Sequence, residues 1–188
     1  NHLGQQADAI FAMNYGGLDT YTAWIGILSY TFQIYFDFSG YTDMAIGAAL
    51  VMNINLPFNF NSPYKAKNIM EFWQRWHMTL SRWLKDYIYI PLGGNRMGSS
   101  RTMLNIGITF LIGGIWHGAS WTFVLWGVLH GMCVMLHKLW VLQGWKMSTF
   151  ASRVLTLFFV SIAWVFFRSD SIDQAFSILK GMMDVKSI

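Results

Sequence analysis

The chain has 188 residues, of which 54% are hydrophobic, 18% aromatic and only 12% charged. Soluble domains carry about twice that charge, so the composition argues against an ordinary soluble protein and for a membrane one. The net charge of +4 is unevenly placed, and the single cysteine, Cys133, excludes an intrachain disulfide framework and a cysteine-based zinc site.

No signal peptide opens the chain, and residue 1 is Asn rather than Met, which fits an internal piece of a longer membrane protein. Residues 20 to 36 are free of charge and predict a membrane helix. The string Phe36-Asp37-Phe38-Ser39-Gly40-Tyr41-Thr42-Asp43 follows, with two carboxylates six residues apart and a glycine between them. Met44 to Met52 is apolar but too short to span, and Asn53-Ile54-Asn55-Leu56-Pro57 ends it. Residues 37 to 63 therefore read as a broken or re-entrant element buried in protein, because lipid does not tolerate exposed irregular backbone. Asp37 and Asp43 read first as the polar cap of that broken helix. A proton or ion pathway of a transporter is the alternative.

Residues 64 to 90 differ in kind. Ile69, Trp73, Trp76, Leu80, Trp83 and Tyr87 are spaced 4, 3, 4, 3, 4, which makes one apolar stripe on a continuous helix. Glu71 with Arg75 and Arg82 with Asp86 are i, i+4 pairs on its other side. The pattern predicts an amphipathic helix in the membrane interface. His77 falls roughly 80° from the centre of the stripe, where it can face a polar pocket or simply stand at the water line.

Residues 65 to 101 hold Lys65, Lys67, Arg75, Arg82, Lys85, Arg96 and Arg101 against Glu71 and Asp86. Charge alone would allow a nucleic-acid partner. These charges alternate with Trp, Tyr and Ile beside spanning segments, so the positive-inside bias explains them better and no nucleic acid is expected. Pro91-Leu92-Gly93-Gly94-Asn95-Arg96 predicts a turn. Thr102 to Trp116, Ser120 to Leu136 and Val154 to Phe167 predict three further apolar helices, and Asp170 to Lys180 a short surface helix. If 102–137 is a helical hairpin, its basic flanks at 65–101 and 138–153 share one side. The corner is Trp116-His117-Gly118, which would put His117 at the floor of a cavity inside the bilayer.

His117 is the most informative residue. Ionisable side chains at membrane depth are costly and rare, and histidine titrates nearest neutrality, which suits proton transfer. By residue type alone, a hydrogen-bonded packing role stays open. His130 and His137 lie about 10 Å apart along one helix and cannot share an ion without distortion. No HExxH pattern occurs, so no metal is expected, although a bis-histidine haem between helices stays conceivable. No GxSxG elbow supports a serine hydrolase.

Several strings resemble the membrane-bound O-acyltransferase (MBOAT) family, bacterial branch. They are Tyr35 to Gly47 (YFDFSGYTDMAIG), Pro57 to Tyr64 (PFNFNSPY), Glu71 to His77 (EFWQRWH), Asp86 to Arg96 (DYIYIPLGGNR), Gly114 to Gly118 (GIWHG) and Trp164 to Arg168 (WVFFR). They stand in family order over about residues 30 to 180, and YIPLGGNR is most similar to the alginate O-acetyltransferase group. The resemblance implies an all-α polytopic membrane fold with broken helices and an interfacial amphipathic helix. Family members are much longer, so residues 1–188 would be the central to C-terminal portion of one membrane domain, with further helices ahead.

The implied activity is transfer of an acetyl group from a thioester to hydroxyls of an exported or cell-surface polysaccharide, alginate or another glycan, at a bacterial inner membrane. The donor would be acetyl-CoA or an acyl carrier thioester, with no bound cofactor. The acceptor would be met directly or through an extracytoplasmic partner protein. By the same resemblance His117 is the essential catalytic histidine and His77 the second. The chemistry expected of them makes His117 the general base and His77 a second proton-transfer or positioning group at the cytoplasmic mouth where the donor arrives. Trp116, Trp121, Asn95 and Arg75 are candidate substrate or donor contacts. Two other readings compete: a transporter or channel working through Asp37 and Asp43, and a non-catalytic scaffold of a polymer-export complex.

Overall fold

The computed structural model describes residues 2–13 and 18–184, and among them every regular element is helical. Helix α1 spans His2–Phe11 and packs on α2, Thr20–Val51. The Asp19 side chain caps α2 by accepting from the Thr22 backbone N–H at 2.9 Å. At 32 residues α2 runs straight through the stretch expected to break. One glycine costs a helix only about 1 kcal/mol, which tertiary packing overrides. The hydroxyls of Ser39 and Thr42 turn back onto the carbonyls of Phe36 and Ser39, so these polar side chains are accommodated within the continuous helix. Asp37 and Asp43 consequently lie within a helix and cap nothing. The end of α2 is where the sequence put it: Asn53 takes the left-handed conformation at φ 59°, which asparagine tolerates.

The second correction concerns residues 64–90. No continuous amphipathic helix forms. A 3₁₀ turn at Pro63–Lys65 leads to α3, Ile69–Arg75, and then to α4, Met78–Leu84, with a sharp break at Trp76 and His77. Lys85–Tyr89 follows as a π-helical turn. The stripe splits with the helix. Ile69, Trp76 and Leu80 are buried, whereas Trp83 and Tyr87 are 46% and 69% exposed. The Glu71–Arg75 ion pair closes at 2.7 Å, but among the described residues Arg82 and Asp86 form none.

Helices α5, Ser99–His117, and α6, Trp121–Leu142, form the expected hairpin, and α7, Thr149–Arg168, returns beside α6. Helices α6 and α7 are long and apolar enough to cross a membrane. The short helix α8, Ile172–Met183, packs against α2 and α7. The basic flanks do share one side: Lys138 Nζ at the end of α6 donates to Asn95 Oδ1 at 3.2 Å. The hairpin corner lies level with the other end of α7, since the His117 ring sits 5.0 Å from that of Phe167.

Helix α6 acts as a ruler for the α3–α4 element. Lys67 shares a cavity wall with Trp140 near the basic end of α6. Trp73 touches His130 halfway along it. Asn95 is back beside Lys138. Residues 67–95 therefore dive in from the basic side, turn at His77 and return. The re-entrant element exists, but one motif later than expected.

Candidate active site

The break at His77 has a local cost and a non-local cause. His77 takes φ 41°, a left-handed conformation that costs a non-glycine residue about 1–2 kcal/mol. The loop before α3 holds it there. Asn59 Oδ1 accepts from Thr79 N–H at 3.2 Å and from Thr79 Oγ1 at 2.7 Å, and lies 3.3 Å from His77 Nδ1. The Asn59 carbonyl also accepts from Met78 N–H at 3.0 Å. Strain held by surrounding bonds in this way gathers at functional sites. The His77 ring stands edge-on to Phe38 of α2, 4.8 Å between centroids.

His117 ends α5, where Gly118 breaks the helix before Ser120 caps α6. Its ring is boxed by Trp116, Trp126 and Phe167, with centroids 5.0, 5.1 and 5.0 Å away. Those contacts are made by the ring faces and edges; its two nitrogens hydrogen-bond to no described residue.

His77 and His117 line the same open cavity of about 500 Å³. The α2 face carrying Tyr30, Gln33, Ile34, Asp37 and Phe38 supplies a wall, and Trp116 and Phe167 complete it. The turn at Trp76–His77 thus carries His77 to the same end of the α5–α6 hairpin as His117, away from Lys138 and Asn95. Trp116 lines this cavity. Trp121 does not and is 73% exposed at the start of α6. Asn95 lies on the basic side, accepting from Tyr89 Oη at 2.5 Å as well as from Lys138. Arg75 pairs with Glu71 and donates to the Asn61 carbonyl at 3.1 Å, which ties the preceding loop to α3. Asp43 is outside the cavity lining.

Tyr30, Gln33, Ile34, Phe38 and Phe167 were not anticipated. Tyr30, Gln33, Ile34 and Asp37 are spaced 3, 1 and 3, one face of a helix, and become visible as a set once α2 is read as unbroken.

Burial holds the His77 imidazole below its ordinary value of about 6.5. The sign of the consequence follows from linkage: the unfolded chain takes up the proton first as pH falls. Stability is complete above about 6.5 and is lost on going below it, until the folded-state value is reached. We expect the melting temperature of the full-length protein in detergent to fall as pH drops below about 6.5. His77→Gln reduces that slope. An unchanged slope in the variant removes His77 as a buried neutral imidazole.

The family model described as MBOAT, membrane-bound O-acyltransferase family, matches residues 17–174. The chain is 52% identical over 170 residues to the peptidoglycan O-acetyltransferase of Helicobacter pylori, covering 88% of this chain and 32% of that protein. It is 44% identical over 181 residues to a protein of Pseudomonas aeruginosa named probable alginate O-acetylase, covering 96% of this chain and 34% of that one. A teichoic acid D-alanyltransferase of Bacillus subtilis is 32% identical, over 88% of this chain and 46% of its own length. The chain thus spans about a third of the length of the most similar of these relatives.

Proposed function

Because this chain belongs to the membrane-bound O-acyltransferase family, we propose that the protein containing it transfers an acetyl group from a thioester to a hydroxyl of an exported or cell-surface glycan. The single observation that carries the reading is the cavity shared by His77 and His117, reached by two elements far apart in sequence.

A sugar hydroxyl is a poor nucleophile at neutral pH. His117, as general base, takes the hydroxyl proton while the oxygen attacks the thioester carbonyl. The tetrahedral intermediate collapses, the C–S bond breaks, and the imidazolium returns the proton to the departing thiolate. Asp37 lies on the α2 wall of the same cavity. His77, braced by Asn59, acts as a second proton-transfer or positioning group. Trp116 and Phe167 give the cavity an apolar wall beside the two histidines. The donor is acetyl-CoA or an acyl carrier thioester, and the membrane is the bacterial plasma membrane. Peptidoglycan and alginate are the first acceptors to try, directly or through an extracytoplasmic partner. The transporter reading is weakened because only one of its two carboxylates, Asp37, faces the cavity.

The test is incubation of purified full-length protein with an acetyl thioester and each glycan, reading ester formation by mass spectrometry. The expected result is acetyl ester on one glycan class. A folded protein, supplied with its partner proteins, that forms no ester on any glycan overturns the proposal.

A further inference from the structure

We infer that His130 is a positioning residue for the reaction, holding the α3–α4 element by its hydrogen bond to Trp73 so that His77 faces His117. The inference rests on the His77–His117 cavity being the reaction site.

His130 sits at the middle of α6 and is fully buried. A histidine there is costly, since an apolar residue would fill the same space without polar atoms to satisfy. Its Nδ1 accepts from Trp73 Nε1–H at 3.2 Å. The bond requires Nδ1 to be unprotonated, so the neutral ring carries its proton on Nε2, which has no partner among the described residues. The residue accepts that penalty to make one directional contact, and the contact goes to the re-entrant element.

Helix α3 has seven residues and is too short to hold its own orientation. It packs through Ile69, Phe72 and the Trp73 ring, which stands edge-on to Phe110 and Trp126, and the indole N–H to imidazole bond adds a directional contact to that packing. Trp73 lies in α3, whose last residue, Arg75, is two before His77. A rotation of α3 released by losing the bond reaches His77 through the Trp76 linker and through the loop of Asn59 and Asn61, which is bonded both to α3 and to the His77 turn. The two histidines are also linked through one ring: Trp126 lies 4.8 Å from His130 and 5.1 Å from His117. His130 therefore fixes a wall of the His117 box and the approach of His77 together.

The experiment uses full-length protein bearing His130→Phe, His130→Asn, Trp73→Phe, or the double change His130→Phe with Trp73→Phe. His130→Phe keeps the ring volume and removes the acceptor, whereas the asparagine Oδ1 stands near the lost Nδ1. We expect His130→Phe to lower kcat about 10- to 100-fold with KM changed less than about threefold, as for a small misplacement of a catalytic group. His130→Asn recovers most of that loss, and the double variant is no worse than His130→Phe. Hydrogen exchange of residues 69–79 rises in His130→Phe and not in His130→Asn. Equal impairment of the Phe and Asn variants, additive losses in the double variant, or wild-type turnover of His130→Phe each overturns the inference. Exchange also separates the two readings: if wild-type protein forms no ester, the acyltransferase reading fails, while the exchange contrast still decides whether His130 holds α3.

Discussion

His117→Gln in the full-length protein lowers acyl transfer about a thousandfold, within the range of about 10²–10⁴ that general acid–base groups contribute. Glutamine is chosen because it stays polar, fills much of the imidazole's space and has no basic nitrogen. The box around the residue, made by Trp116, Trp126 and Phe167, has no hydrogen bond to lose when the imidazole goes. Stability should therefore change little, and the loss should appear in kcat and kcat/KM alike, as for an interaction made only in the transition state. A thousandfold loss corresponds to about 4 kcal/mol of barrier. The measurement is the initial rate of acetyl ester formation, with the melting temperature checked in the same preparation. Near-wild-type turnover with the melting temperature unchanged would falsify the general-base role. His77→Gln should cost less, because Asn59 and the surrounding turn still position whatever stands there.

The difference between the two histidines also explains how much of the site was legible beforehand. His117 was conspicuous because it follows an apolar run and sits at a glycine corner, both local signals. Helices α6 and α7 were legible for the same reason, being long apolar segments bounded by basic residues. The fate of His77 was not local. The 4, 3, 4, 3, 4 spacing of Ile69 to Tyr87 describes an unbroken helix, and nothing within that stretch contradicts it. The break comes from Asn59, which offers its carbonyl and side-chain oxygen to Met78 and Thr79 in place of intrahelical partners. A side chain 18 residues back cannot be weighed by periodicity. Asp37 was misread for the converse reason. Glycine and two carboxylates look like a stop, yet the helix continues because Ser39 and Thr42 satisfy themselves on their own turn. Trp121 reads as a lining residue because it follows GIWHG, and Asn95 because it lies within YIPLGGNR, but membership of a matched stretch does not place a side chain in the cavity.

The position of His117 depends in turn on the α5–α6 crossing, and the second large effect is expected there. A Cβ added to Gly114 would lie 2.4 Å from the Phe123 carbonyl oxygen and 3.2 Å from Gly127 Cα. One added to Gly127 would lie 2.5 Å from the Phe110 carbonyl oxygen. Every one of these neighbours is backbone, so no side chain can swing aside. The two helices touch main chain to main chain, the arrangement small residues permit where lipid gives helices no hydrophobic reason to associate. Gly114→Ala must push α6 away by roughly 1 Å, the gap between that contact and an ordinary one. Overpacking of this kind costs about 1–3 kcal/mol or more. The displacement reaches the site, because Gly114 is three residues before His117 and α6 carries Trp126. We expect a clearly lower melting temperature and a loss of turnover near a hundredfold, the scale of a misplaced catalytic group. Gly107→Ala is the matched control. It lies on the same helix with nothing within 4 Å of an added Cβ. There alanine should gain about 0.5–1 kcal/mol of helix propensity and leave turnover unchanged. If Gly114→Ala melts and turns over like Gly107→Ala, close backbone contact does not set the place of His117.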